Sequence, residues 1–127
     1  MSDKFTVEII SPDQTISKQE TNEVIIPSFE GQMGILINHI PLITFLRPGI
    51  ITIKAEGEKR FYIEEGTVEF SNNNLLILTA TARDLVNFDK SKIDEMLQKV
   101  EAHLSTEISD KDRYVASYKL ETLKEIS

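Results

Sequence analysis

The sequence predicts an α+β protein in which a β-sandwich or flattened barrel comes first and two helices follow. All 4 prolines and all 5 glycines lie between Pro12 and Gly66, so the strongest breakers of regular structure are missing from the last half of the chain. In the first region apolar residues alternate with a period of two, which is typical of strands that bury one face. From Phe88 onward the period is 3.6, which is typical of amphipathic helices.

The strand predictions depend on six short runs of alternating or β-branched residues. Residues 56–58 and 71–74 separate neighbouring runs and favour tight hairpin turns, because glycine and asparagine adopt positive φ at little steric cost. Residues 79–84 lose the alternation, and we expect them to leave the sheet. Short strands at this spacing indicate a sandwich or a flattened barrel. The six runs are residues 5–10, 24–26, 51–54, 61–64, 68–70 and 75–78.

Two helices are predicted in the remainder of the chain. Asp89 or Ser91 can cap the first, and the second begins near Ser109 or Asp110. Helices of about 15 residues are marginal alone in water, so both must pack on each other or on a partner. We therefore predict two domains, residues 1–84 and residues 85–127. The apolar positions are Ile93, Met96, Leu97, Val100 and Leu104 in the first helix and Val115, Ala116, Tyr118, Leu120 and Leu123 in the second.

The composition excludes several classes of function. A formal net charge of −7 disfavours nucleic acid and anionic lipid as partners, because those surfaces attract clustered Lys and Arg. Without cysteine the chain has no disulfide framework, no thiolate metal site and no cysteine nucleophile. The first residues show no secretory or mitochondrial targeting pattern, and no apolar run approaches the length of a membrane span. We expect no direct membrane insertion, so membrane association would go through another protein.

Few residues are candidates for catalysis. His39 is the one histidine of the β region, and a catalytic role would make it a general base beside Glu30 or Glu65. No nucleophile motif, phosphate-binding loop or histidine pair with metal-ligand spacing accompanies it. A structural or interface role for His39 is therefore favoured over a catalytic one.

Residues 27–49 carry the most specific motif of the chain. An acidic turn comes first, a histidine–proline step follows, and a basic residue then precedes Pro-Gly. In order and spacing this region resembles the signature of the epsilon subunit family of F-type ATP synthases. The resemblance implies a sandwich of about ten strands followed by an antiparallel helical hairpin. The motif reads Glu30-Gly31-Gln32-Met33-Gly34-Ile35, His39-Ile40-Pro41-Leu42 and Arg47-Pro48-Gly49.

The resemblance also implies partners and contact residues. It implies a central-stalk rotor subunit with no catalytic residue, cofactor or metal of its own, which joins the gamma subunit to the c-ring. The c-ring would contact Glu30, Gln32 and Met33, with Met33 as a flexible thioether at a loop tip. The gamma subunit would contact Ser11, His39, Leu42 and Thr44. Such a subunit is peripheral, on the cytoplasmic side of a bacterial inner membrane.

The helices would be the regulatory part of such a subunit, through the beta subunit or through bound ATP. Basic and acidic residues nearly cancel in residues 105–127, so we expect weak contact with the beta subunit and weak inhibition of ATP hydrolysis. Relatives that bind ATP carry an acid and an arginine where this chain has Asp89 and Lys92, and an alanine where it has Ile93. Lysine lacks the planar fork of arginine, which disfavours a nucleotide site. A stand-alone nucleotide-sensing or ligand-binding sandwich remains the alternative function.

Overall fold

The computed structural model describes residues 3–127, which form ten strands, one 3₁₀ turn and two helices. The strands precede both helices, as predicted, and the α+β architecture of a sandwich with a C-terminal helical hairpin is confirmed. The strands are β1 (Phe5–Ile10), β2 (Thr15–Thr21), β3 (Glu23–Ser28), β4 (Gly31–Leu36), β5 (Leu42–Leu46), β6 (Gly49–Lys54), β7 (Glu58–Ile63), β8 (Gly66–Ser71), β9 (Asn74–Leu78) and β10 (Arg83–Asp84). After the 3₁₀ turn (Leu85–Asn87) come α1 (Lys90–Leu104) and α2 (Asp110–Ile126).

The strands form one hydrogen-bonded sheet that folds over into two layers. Its order is β10-β7-β6-β3-β5-β8-β9-β1-β2, with β4 also paired to β3. Strand β3 joins the layers, because its first residues pair with β6 while Ser28 pairs with Leu46 of β5. All pairs are antiparallel except β1 with β9.

Alternation along the strands places the core between the two layers. In β1 the buried residues are Phe5, Val7 and Ile9, and the residues between them face outward. The same inward set continues in the other strands, where it includes Val24, Ile26, Ile35, Leu46, Ile51, Ile53, Phe61, Ile63, Val68, Phe70, Leu75 and Ile77.

A second apolar cluster attaches the hairpin to the outer face of one layer. Tyr62 of β7 is fully buried there, and half-buried Ile50 of β6 packs beside it. The helices contribute Ile93, Val100 and Leu123, and α2 packs on both α1 and β6. The boundary between residues 84 and 85 stays a prediction, since this cluster draws residues from both sides of it.

Both predicted hairpin turns are confirmed. Ala55 donates its N–H to the carbonyl of Gly57 at 3.0 Å in the β6–β7 turn. In the β8–β9 turn Asn72 and Asn73 have φ of 49° and 57°, the left-handed values expected for a two-residue hairpin. The helix starts were also predicted well, since Asp89 caps α1 and Ser109 caps α2.

Two predictions about the sheet were wrong. Residues 79–82 lie outside the strands, as expected, but Arg83 and Asp84 return to the sheet and pair with Tyr62 and Phe61 at the edge of β7. Met33 does not lie at a loop tip, because it falls in the middle of β4, opposite Ile26 of β3. The six predicted runs did not include β4 or β10, and they also left out β2 and β5.

Candidate functional site

The outer face of the layer that contains β5, β8, β9 and β1 carries exposed apolar side chains that no segment within residues 3–127 covers. In β5 the alternation turns Leu42 and Thr44 inward and Ile43 and Phe45 outward. Ile43 is 71% exposed and Phe45 is 62% exposed. Large apolar side chains exposed side by side on a strand are typical of a protein contact.

The exposed strip crosses three neighbouring strands beyond β5. Phe45 pairs with Thr67 of β8, Thr67 with Leu78 of β9, and Leu78 with Ile10 of β1. Leu78 is 45% exposed. Leu76 lies one row along β9, opposite Glu69 of β8. We call Ile43, Phe45, Leu76, Leu78 and Ile10 the apolar face, which Thr67 and the exposed Glu69 of β8 interrupt.

The residues predicted to contact gamma lie around the apolar face rather than on it. Ser11 follows Ile10 and holds the β1–β2 turn, donating from its hydroxyl to the Gln14 carbonyl at 3.1 Å. At the other end, His39 Nδ1 lies 2.7 Å from the carbonyl oxygen of Ile40, and its ring meets Phe70 edge-on at 5.9 Å. Between these ends a partner would meet Ile43 and Phe45.

Leu42 and Thr44 point away from such a partner. Leu42 packs against the core, and Thr44 is only 7% exposed, with its hydroxyl 2.9 Å from that of Ser28. Sequence reasoning missed Ile43 and Phe45 because β5 is apolar at nearly every position. The pairing with β8, whose Val68 and Phe70 are buried, fixes which side faces out.

The second predicted contact region is the β3–β4 turn at Phe29 and Glu30. The Ser28 hydroxyl accepts the Glu30 N–H at 3.0 Å, and Gly31 follows with φ of 121°, a value that favours glycine. Glu30 and Gln32 are exposed at this end of the sandwich. Met33 is half-buried and packs against the core, so it supports the turn more than it extends from it.

The loops next to the apolar face are held rigidly. Asn38, with φ of 64°, donates its N–H to the Asn73 side chain at 2.7 Å, and Asn73 Nδ2 donates back to Asn38 Oδ1 at 3.1 Å. This reciprocal pair ties the β4–β5 loop to the β8–β9 turn.

A polar cluster joins the sandwich to α2. Glu64 accepts a hydrogen bond from the Tyr62 hydroxyl at 3.0 Å, and Lys119 of α2 lies 3.1 Å from the same carboxylate. Burial, reinforced by the Glu64 charge, raises the pKa of the Tyr62 phenol far above its ordinary value. Tyr62 therefore stays protonated and acts as a donor.

Of the possible nucleotide-binding residues, Asp89 is the N-cap of α1. The Asp89 carboxylate accepts the Ser91 N–H at 3.1 Å as the N-cap of α1. Lys92 is exposed, and Ile93 is buried in the hairpin. Asp89 already uses an oxygen on its own helix, and a nucleotide role for Asp89 and Lys92 stays a prediction.

The structure does not bring the candidate catalytic residues together. Within residues 3–127 no hydrogen bond joins His39 to Glu30 or Glu65, and Glu65 instead accepts the Ala80 N–H at 3.1 Å. The described part of the chain also holds no group of three or more histidine, aspartate or glutamate side chains placed to bind a metal. No helix among these residues has the length and apolarity to span a bilayer.

Known proteins are similar to this chain in sequence and in fold. Residues 4–84 match the family model described as ATP synthase, Delta/Epsilon chain, beta-sandwich domain. An ATP synthase epsilon chain of Pelagibacter ubique is 42% identical over the full length of both chains. One of Parvibaculum lavamentivorans is 30% identical over 99% of this chain and 97% of its own. Both are curated relatives of matching length.

Solved structures resemble the whole chain as well. A chain in the mitochondrial ATP synthase of Euglena gracilis, solved as an OSCP/F1/c-ring assembly, gives a TM-score of 0.79 at 22% identity and covers 98% of this chain and 82% of its own. A chain in the central stalk and c-ring structure from Tetrahymena thermophila gives 0.67 at 14% identity, covering 94% and 93%. At these identities the likeness shows the fold alone.

Proposed function

Because this chain belongs to the ATP synthase epsilon chain family, we propose that it is a non-catalytic rotor subunit of a proton-translocating F-type ATP synthase. In this role it joins the gamma subunit to the c-ring in the central stalk and passes rotation between them. It is held peripherally on the cytoplasmic side of a bacterial inner membrane by these partners.

The observation that carries the proposal is the apolar face. The hairpin covers the outer surface of one layer, whereas the other layer leaves Ile43 and Phe45 more than half exposed to water. We assign this face to the gamma subunit. Ser11 and His39 contribute polar contacts at its two ends, in keeping with the polar rim that surrounds the apolar centre of most interfaces.

The β3–β4 turn is the part proposed to contact the c-ring. Glu30 and Gln32 present exposed polar groups there, suited to the polar loops of a membrane ring. Met33 sets the position of the turn by packing against the core. The turn and the apolar face are different surfaces of one rigid sandwich, which is the arrangement that transmitting torque requires.

The hairpin is the proposed regulatory part, and its effect on ATP hydrolysis is weak. In α2 and the bend before it, Lys111, Arg113, Lys119 and Lys124 oppose Glu107, Asp110, Asp112, Glu121 and Glu125. Lys119 is further occupied by Glu64 of the sandwich. No net positive charge is left to attract an acidic segment of the beta subunit. Assembled enzyme with a chain ending at Asp84 should hydrolyse ATP at nearly the rate of enzyme with the full chain, and a several-fold rise would contradict weak regulation.

A tagged full-length chain tests the assignment directly. Expressed in a bacterium that carries the enzyme, it should co-purify from detergent-solubilised membranes with gamma and the c-ring at one copy per complex. Gel filtration with purified gamma alone should give a stoichiometric complex. Recovery of the chain without ATP synthase subunits would sink the assignment and favour a stand-alone binding module.

A further inference from the structure

Four side chains form a continuous stack between the sandwich and α2. Phe29 of the β3–β4 turn stacks on Tyr114, with ring centres 5.8 Å apart and planes 15° apart. Tyr114 meets Tyr118 one helical turn later at 4.9 Å, and the Arg47 guanidinium carbon lies 3.9 Å above the Tyr118 ring. The stack thus begins and ends on the sandwich and passes through two residues of α2.

Packing between α2 and the sandwich is incomplete beside this stack. A partly open cavity of about 200 Å³ lies there, and Arg47 and Tyr118 line it together with polar side chains such as Thr52, Arg60 and Glu121. A polar cavity contributes little close apolar contact. Since α2 packs on both β6 and α1, the contacts of α2 help to hold the hairpin on the sandwich, together with Ile93 of α1 in the second apolar cluster.

Arg47 depends on Tyr118 for its contact with the docked helix. Its backbone N–H donates to the Pro27 carbonyl at 2.9 Å, which fixes the residue at the corner between β5 and β6. Its Nε is buried and has no hydrogen-bond partner among residues 3–127. No carboxylate in the described chain lies within ion-pair distance of Arg47 either. The face of the Tyr118 ring is therefore the contact that Arg47 makes with the docked α2.

We propose that Phe29, Tyr114, Tyr118 and Arg47 act as a latch that sets the fraction of molecules in which the hairpin is docked on the sandwich. The latch itself is argued from contacts within this chain. Its consequence, that a docked hairpin cannot reach the catalytic head, rests on the proposed function. Because Phe29 belongs to the turn proposed to contact the c-ring, hairpin docking and the c-ring contact involve the same turn. Any coupling between them is reciprocal.

Hydrogen exchange of the isolated full-length chain measures the latch without any partner. Undocked α2 is marginal as a helix, so its amides report opening of the hairpin, whereas amides of β1 and β9 report unfolding of the sandwich. Tyr118→Leu keeps an apolar residue of high helix propensity. It should speed exchange in α2 about 5- to 10-fold and leave β1 and β9 unchanged. Phe29→Leu, at the exposed end of the stack, should speed amide exchange in α2 about 2- to 5-fold.

Two arginines provide a matched comparison. Arg47→Gln should speed exchange in α2 about 2- to 5-fold, whereas Arg60→Gln, in the same cavity but away from the stack, should change it less than 1.5-fold. In the Tyr118→Leu background, Arg47→Gln should add nothing further, because its partner ring is already gone.

Several results would overturn the latch. One is equal exchange in the Arg47 and Arg60 variants. Another is multiplicative effects of Arg47→Gln and Tyr118→Leu, and a third is exchange in β1 and β9 that rises together with that of α2. All measurements use the isolated chain, so they stand apart from the co-purification test. A chain that fails to bind gamma could still have the latch, and a chain without the latch could still bind gamma.

Discussion

Removing one side chain from the apolar face should weaken binding to gamma strongly while leaving the sandwich folded. Phe45 is the largest member of that face and is 62% exposed. A buried phenylalanine covers about 200 Å², so the exposed part offers about 120 Å² of apolar surface to a partner. At about 25 cal/mol per Å² this area corresponds to about 3 kcal/mol of binding free energy. Phe45→Ser should therefore raise the dissociation constant for gamma by up to about 100-fold.

Val86→Ser is the control for this change. Val86 is 88% exposed on the 3₁₀ turn, and it lies outside the apolar face. The variant loses an exposed apolar side chain without affecting the proposed contact, so its affinity for gamma should match that of the unaltered chain. Neither substitution removes a buried group, and both variants should unfold within about 1 kcal/mol of the parent.

Titration calorimetry with purified gamma gives the dissociation constant of each variant, and urea unfolding beforehand gives its free energy of unfolding. The assignment of the apolar face fails if Phe45→Ser binds gamma as tightly as the parent. It fails equally if Val86→Ser loses as much affinity as Phe45→Ser, because the loss would then reflect general hydrophobicity rather than this surface. Ile43→Ser, with 71% of its residue surface exposed, provides an independent repeat on the same strand.

Three further outcomes are expected from single positions. Gly49→Ala should destabilise the sandwich by about 1–3 kcal/mol in urea, because the new methyl group would lie 2.5 Å from Pro27 Cβ, whereas Gly57→Ala meets nothing within 4 Å and should be nearly neutral; equal stabilities would refute the close approach. Calorimetry with magnesium ATP should show weak or no binding, since Lys92 replaces a bidentate arginine, and a dissociation constant in the low micromolar range would contradict this. The raised pKa of Tyr62 means that its folded form holds a proton that the unfolded chain releases above about pH 10. Stability is therefore fully present below about pH 10 and falls as the pH rises further; Tyr62→Phe should flatten that fall, and an unchanged slope would show that other groups cause it.

The sequence predicted best where local signals are strong and unopposed. The helices, their caps at Asp89 and Ser109 and the asparagine turn of the β8–β9 hairpin all depend on residues close together in the chain. Strand β4 was missed because Gly31 and Gly34 interrupt its pattern, and its assignment depends on pairing along the whole of β3. Strand β10 was missed because a strand of two residues is too short to show an alternating pattern.

The contact residues were harder to predict for a similar reason. In β5 the residues from Leu42 to Leu46 are apolar except for Thr44, so the sequence does not say which side faces water. The register with β8 decides it, and that register pairs residues that are at least twenty positions apart in the sequence. The family resemblance pointed to this region of the chain, and contact with gamma there stays a prediction. Which alternate residues of β5 face outward is decided only in the folded sheet.

The parallel pairing of β1 with β9 has a consequence for how the chain is made. Val7 lies beside Leu75, so the first strand to leave the ribosome must wait for a partner that is synthesised after most of the sheet. Until then only β2 is available to it, and a two-stranded hairpin alone is marginally stable in water. Closing the sandwich over such a sequence separation is slow compared with forming local hairpins. In the growing chain the β6–β7 and β8–β9 hairpins therefore form early, and the oldest strand is locked into place among the last.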